Sequence, residues 1–167
     1  PETDLVNSNP IGKVPCLVTD AGVSLYDSPV ICEYLDQLNT GTKLFPADAD
    51  ARFKALTLAA AGDGMTDAGI LFLIETVRRP EELRWDWWIE RQQAAMFRCM
   101  DVADAAADSM GTDGDITIGE ISIACGLGWI DLRFPDMGWR TDRPALADWF
   151  EKISNRPSFE STMPPQS

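Results

Sequence analysis

The stretch from Asn9 to Leu38 holds the residues whose types and spacing could do chemistry. Ser28 and Pro29 begin a predicted helix, and the N–H groups without partners at a helix start favour a bound carboxylate. Lys13 carries a positive point charge and Asp27 a carboxylate. Singly, these residues have ordinary interpretations as a helix cap, a solvated lysine and a turn acid. Together they fit those interpretations poorly, and we predict a ligand site.

A short hairpin and one helix are expected to position these residues. Runs of apolar and alternating residues at 16–18 and 23–26 flank Asp20-Ala21-Gly22, a pattern typical of an antiparallel hairpin. Ser28 can cap the helix that follows, and Pro29 suits its first turn. The residues predicted to form its buried face recur at helical spacing, and they are Ile31, Tyr34, Leu35 and Leu38.

This order of elements resembles the second half of the thioredoxin-like domain of glutathione transferases. The motifs that carry the resemblance are Asn9-Pro10-x-Gly12-Lys13-Val14-Pro15 and Tyr26-Asp27-Ser28-Pro29-x-Ile31-x-x-Tyr34-Leu35. The resemblance implies a cis peptide bond before Pro15, and it implies that Val14 offers its N–H and C=O to the cysteinyl unit of glutathione. It also implies that Ser28 binds the γ-glutamyl carboxylate, Asp27 the α-amino group and Lys13 the glycyl carboxylate.

The composition limits the kinds of partner. The 167 residues include 27 acidic and 14 basic side chains, for a formal net charge of −13. Surfaces for nucleic acid or anionic membranes need clustered Lys and Arg, so we expect neither partner. The absence of histidine excludes Ser-His-Asp and Cys-His catalysis within these residues and removes the commonest zinc ligand. We therefore expect no metal, and the resemblance implies glutathione as the co-substrate.

Cysteine usage favours a reducing, cytoplasmic location. The four cysteines are widely spaced and include no Cys-x-x-Cys pair. Cys32, Cys99 and Cys125 lie among apolar neighbours and are predicted to be buried thiols. Cys16 is expected close to the ligand, or facing the core from its strand. We find no signal peptide and predict no transmembrane run.

We predict two domains, at residues 1–43 and 47–167. The first is a partial thioredoxin-like domain, a β-hairpin plus helix, and the second is an all-α glutathione-transferase bundle of about five helices. Residues 2–8 read as a polar loop. In the family, a βαβ unit of about 30 residues or more precedes this point. That unit supplies the tyrosine, serine or cysteine that acts on the thiol, so we expect a partial chain and name no catalytic residue.

The first long helix of the second domain is predicted over 50–79. The residues near one of its faces are Phe53, Leu56, Ala60, Asp67, Leu71 and Ile74. Gly62, Gly64 and Gly69 each cost about 1 kcal/mol against alanine, so they indicate a kink, a close helix contact or the approach of a ligand. We also predict a symmetric homodimer in which this helix meets its two-fold mate. The resemblance implies that Asp63 reaches glutathione held by the other subunit. The alternative is an ordinary acid beside a helix break.

Two later segments also have clear helix signals. Thr117-x-x-Glu120 is a capping box, and a capping box at this point is a glutathione-transferase feature. A last helix is predicted to start near Arg143-Pro144 and to end before Asn155. Its apolar residues are Leu146, Trp149, Phe150 and Ile153.

The leading functional prediction is a glutathione transferase that conjugates the glutathione thiol to a small electrophilic, apolar substrate. The resemblance is greatest to uncharacterised bacterial members. Two alternatives stay open, a glutathione-dependent reductase or lyase and a non-catalytic interaction module of the same fold. The complete set of motif residues argues against the module.

Overall fold

The computed structural model describes residues 2–114 and 116–164. Two compact units divide between Phe45 and Pro46. The N-terminal unit contains α1 (Glu2–Ser8), β1 (Leu17–Val18), β2 (Ser24–Leu25) and α2 (Ser28–Leu38). The C-terminal unit contains α3 (Ala49–Leu73), α4 (Asp86–Ala106), α5 (Ile118–Arg133), α6 (Pro144–Ser154) and α7 (Pro157–Glu160). A π-helical segment, Ile74–Arg78, continues α3, and short 3₁₀ turns cover Glu81–Leu83 and Ala107–Ser109. The predicted fold class, a hairpin and helix followed by an all-α bundle, is confirmed.

The hairpin is antiparallel, as predicted. Leu17 lies opposite Leu25 and Val18 opposite Ser24. In the turn, the Gly22 N–H donates to the Thr19 carbonyl over 2.8 Å, and Gly22 has a φ of +78°. A side chain at this φ is strained, which explains the glycine.

Two local predictions in the N-terminal unit are wrong. Residues 2–8 form helix α1 rather than a loop. Helix α2 begins at Ser28 itself, so Asp27 occupies the N-cap position that we expected Ser28 to fill. Ile31 is buried as predicted, but Leu35 and Leu38 are exposed, Leu38 by 63%. The two strands have two residues each, which is too little surface to cover the whole apolar face of α2.

Helices α3 and α5 pack closely through small residues. The residues of α3 that are buried are Ala55, Ala59, Gly62, Met65, Ala68 and Gly69. A Cβ on Gly62 would lie 2.5 Å from the Ser122 carbonyl carbon, and one on Gly69 would lie 2.6 Å from Cζ3 of Trp129. Both clashes are with α5 of the same chain, so the predicted close helix contact is confirmed. At these two glycines the neighbour is α5 rather than the two-fold partner that we also expected.

The face of α3 on which the sequence pattern groups large apolar residues lies largely outside this seam. Phe53 is 67% exposed, and Leu71 and Ile74 are exposed too. The periodicity of large apolar residues therefore marks the outer side of α3, because the inner side has to be small for α5 to approach.

The capping box and the packing of α6 are confirmed. Thr117 Oγ1 accepts from the Gly119 N–H over 3.1 Å, and Glu120 Oε2 accepts from the Thr117 N–H over 2.8 Å. Of the four apolar residues named for α6, Leu146, Trp149 and Ile153 are buried and Phe150 is half-buried. Asp104 on α4 caps α6 by accepting from the Leu146 N–H over 2.8 Å.

The three cysteines that were predicted to be buried thiols, Cys32, Cys99 and Cys125, are less buried than expected. Cys125 is exposed, and Cys32, Cys99 and Cys16 are half-buried. Burial raises the pKa of the Cys99 thiol, and the positive charge of Arg98 opposes this shift. Cys99 is therefore protonated at neutral pH and a poor nucleophile.

The helical segment Ala49–Arg78 is long and apolar enough to span a membrane, contrary to our expectation. Within the C-terminal unit, however, α3 packs against both α4 and α5, as the central helix of a helical bundle does. A single helix that passes this test is weak evidence for a membrane span.

Candidate functional site

The loop between α1 and β1 is folded around the side chain of Asn9, which is 1% exposed. Asn9 Nδ2 donates to the Lys13 carbonyl over 2.6 Å, and Oδ1 accepts from the Ile11 N–H over 3.0 Å. The Asn9 backbone N–H donates to the Leu5 carbonyl over 2.7 Å, and its carbonyl accepts from the Gly12 N–H over 2.9 Å. Gly12 has a φ of +69°, which closes the turn.

Val14 and Pro15 follow this loop at the entrance to β1. The Val14–Pro15 peptide bond is cis, as predicted. Val14 is 81% exposed. Within residues 2–114 and 116–164, neither its backbone N–H nor its carbonyl makes a hydrogen bond. A backbone donor and acceptor are thus open at this position, as an extended ligand paired like a strand requires.

The hairpin brings the two sequence motifs together. Val14 and Pro15 come directly before the strand segment that leads into β1, and Asp27 and Ser28 follow β2, so all four residues lie at the open end of the hairpin, away from its turn. The open backbone of Val14 and the start of α2 therefore belong to the same end of the hairpin.

The start of α2 has N–H groups that are not used by the helix. The Asp27 side chain makes no capping hydrogen bond. The first backbone hydrogen bond of α2 is donated by the Ile31 N–H to the Asp27 carbonyl, over 3.1 Å. In the described part of the chain, the N–H groups of Ser28 and Val30 have no partner, whereas the Asp48 side chain caps α3. An anionic group is favoured at such a helix start.

The remaining candidates are Lys13 and Asp63. The Lys13 side chain is exposed, beside the open backbone of Val14, and supplies positive charge to this end of the unit. Asp63 lies half-buried on α3, in the C-terminal unit. The N-terminal unit thus groups Lys13, Val14, Pro15, Asp27 and Ser28, and Asp63 belongs to the other unit.

Asn9 is the site residue that sequence reasoning missed. It was part of the first motif, but an asparagine before a proline reads as a turn residue. The available signal was the Pro-x-Gly sequence after it, since a tight turn needs an acceptor for its N–H groups and the Asn side chain can supply one.

Comparisons with known proteins relate both units to one family. Residues 1–38 match the family model of the glutathione S-transferase N-terminal domain, and residues 88–152 match that of the C-terminal domain. The chain is similar to YibF, an uncharacterized GST-like protein of Escherichia coli, with 33% identity over 160 aligned residues. The alignment covers 95% of this chain and 79% of that protein.

Solved structures of glutathione transferases are also similar to this chain. The chain is similar to a glutathione transferase family member from Pseudomonas fluorescens with bound glutathione, with a TM-score of 0.93 and 43% identity, over 99% of this chain and 80% of that chain. It is also similar to a glutathione S-transferase from Methylobacillus flagellatus with glutathione bound, with a TM-score of 0.90 and 32% identity, over 96% of this chain and 80% of that chain.

Proposed function

The chain belongs to the glutathione S-transferase family, and from this we propose that it binds glutathione and transfers the thiol to a small electrophilic, apolar substrate. The observation that carries the proposal is that the open backbone of Val14 and the uncapped start of α2 lie at the same end of the hairpin. The glutathione-bound relatives support it. The enzyme is proposed to work in the cytoplasm, a reducing compartment.

Each candidate has a role that fits its position. The Val14 N–H and C=O pair with the cysteinyl unit, and Pro15 leads the chain from there into β1. The γ-glutamyl carboxylate binds at the start of α2 near Ser28, and Asp27 accepts from the α-amino group. Lys13 attracts the glycyl carboxylate as a point charge.

The local charges matter because the whole chain repels the ligand. The formal net charge of −13 opposes an anionic tripeptide at long range. Salt screens this repulsion beyond about 8 Å, whereas Lys13 and the helix N–H groups act at contact distance. Once bound, glutathione reacts through its thiolate, which must be placed beside the electrophile.

We expect the complete protein to bind glutathione in a calorimetric titration, and Asp27→Ala or Ser28→Ala to weaken binding by about 1 to 3 kcal/mol. This is the scale of a lost charge-assisted hydrogen bond. Asp20→Ala is the matched control, because Asp20 is an exposed acid in the hairpin turn of the same unit.

Unchanged affinity in both site variants would contradict the proposed site.

The transferase activity is tested by mixing the unmodified protein and the same variants with glutathione and a chlorodinitrobenzene and following formation of the conjugate by its absorbance. Conjugation supports a transferase. Reduction of a mixed disulfide without conjugation would replace the transferase with the reductase alternative.

We further propose a homodimer in which the outer side of α3 meets its two-fold mate. Its exposed apolar residues include Phe53, Ile70, Leu71 and Ile74, and apolar patches of this kind mark interaction surfaces. Light scattering at micromolar concentration is expected to give twice the chain mass, and Leu71→Glu to give the single mass. Ser158→Glu adds the same charge at an exposed position of α7 and should leave the dimer intact.

The dimer also bears on Asp63, which we propose approaches the glutathione held by the other subunit. A monomeric protein that binds glutathione normally would remove both the dimer and this role of Asp63.

A further inference from the structure

Asn9 fixes the direction of one particular peptide group. Its Nδ2 holds the Lys13 carbonyl at 2.6 Å, and this carbonyl belongs to the same planar peptide unit as the Val14 N–H. In the N-terminal unit, the described peptide bonds that are cis are Val14–Pro15 and Tyr26–Asp27. The Lys13–Val14 bond is therefore trans. In a trans unit the C=O and N–H point in opposite directions.

The buried amide therefore determines where the Val14 donor points. The Lys13 carbonyl is directed at Asn9, which is 1% exposed, so the Val14 N–H is directed away from Asn9. Val14 itself is 81% exposed. The donor that lacks a partner within the described chain is thus turned to the accessible side of the loop.

We propose that Asn9 is a positioning residue of the glutathione site, which orients the Val14 N–H toward the cysteinyl carbonyl of the ligand without touching the ligand. The inference rests on the proposed function, because it assigns a role within that same site. It adds a residue that acts through another residue's backbone.

The side chain must be an amide for this role. Oδ1 accepts from the Ile11 N–H at 3.0 Å while Nδ2 donates to the Lys13 carbonyl, so one side chain has to be acceptor and donor at once. A carboxylate of the same shape keeps the acceptor and loses the donor. A carboxylate oxygen would then face the Lys13 carbonyl oxygen, and their repulsion would rotate the Lys13–Val14 peptide group out of its present orientation.

Asn9→Asp tests this role by calorimetry and by amide NMR of the complete protein titrated with glutathione. We expect affinity about tenfold or more below that of the unmodified protein, the scale of a buried hydrogen bond lost with one partner left unsatisfied. At saturating glutathione the Val14 amide signal should no longer respond, while the Ser28 signal still shifts. Asn7→Asp adds the same charge at an exposed position of α1 and should behave as the unmodified protein.

The outcomes separate this inference from the function on which it rests. If Asn9→Asp binds normally with a normal Val14 response, the role of Asn9 is overturned and the glutathione site stands. If the Val14 and Ser28 responses vanish together at saturation, Asn9 is only a structural residue, and the inference fails. If the unmodified protein shows no response at all, the proposed function and the inference fail together.

A measurement on the unmodified protein covers the case in which Asn9→Asp does not fold. Hydrogen exchange at the Val14 amide should be fast without ligand and at least tenfold slower with saturating glutathione, because the ligand occupies the donor. Equal exchange with and without bound glutathione would overturn the inference.

Discussion

Gly62→Ala is expected to destabilise the C-terminal unit by about 3 kcal/mol or more. The added methyl group would lie 2.5 to 2.7 Å from backbone atoms of Ser122 and Ile123, which cannot rotate away as a side chain can. Helices α3 and α5 would have to separate, and contacts along the whole seam would loosen. A loss of this size lowers the melting temperature by about 6 to 12 °C, which calorimetry or circular dichroism can measure.

Gly64→Ala is the matched control, two residues along the same helix. Its added Cβ would meet only Cys99 Sγ, at 3.9 Å, an ordinary van der Waals contact. Alanine is the better helix former by about 1 kcal/mol, so this variant should be as stable as the unmodified protein or slightly more stable. Equal melting temperatures for the two variants would show that α3 and α5 do not meet as described.

Glu120→Ala is expected to cost about 3 kcal/mol. The carboxylate is buried and accepts from the Thr117 N–H and Oγ1 and from the Gly111 N–H. Its removal abolishes half of the capping box and leaves donors without a partner at the start of α5, and these two costs add. Urea denaturation should show a lower midpoint with an unchanged slope.

A second glutamate separates this effect from helix propensity. Glu90 is exposed on α4, and Glu90→Ala should change the free energy of unfolding by no more than about 0.5 kcal/mol. Since alanine favours helix formation in both variants, a loss confined to Glu120→Ala must come from the capping hydrogen bonds. Similar midpoints for the two variants would be inconsistent with the capping role.

The elements that the sequence predicted well are those with local signals. The turn at Gly22 requires a positive φ, so the hairpin could be located from the residues beside it. The capping box of α5 uses side chains three residues apart, and both hydrogen bonds of that box form within one helical turn. Such patterns are complete within a few residues and need no knowledge of the rest of the fold.

The packing of α3 could not be predicted in this way. Hydrophobic periodicity follows the large apolar residues, and here these lie on the outer side, including Phe53 and Ile74. The inner side is defined by the absence of side chains at Gly62 and Gly69, and only the position of α5 shows why that absence is needed. The same limit applies to Asn9, whose burial depends on how the chain from Leu5 to Lys13 closes around it.

The order Asn9-Pro10 has a consequence for the chemical ageing of the protein. Asparagine is slowly converted to aspartate when the backbone nitrogen of the next residue attacks the side-chain amide and expels ammonia. Pro10 has no N–H, so this route is closed at Asn9, whereas the other three asparagines, Asn7, Asn39 and Asn155, precede residues that have one. Asn9 is the asparagine at which a change from amide to carboxylate would disturb the loop, and Pro10 closes this route to that change.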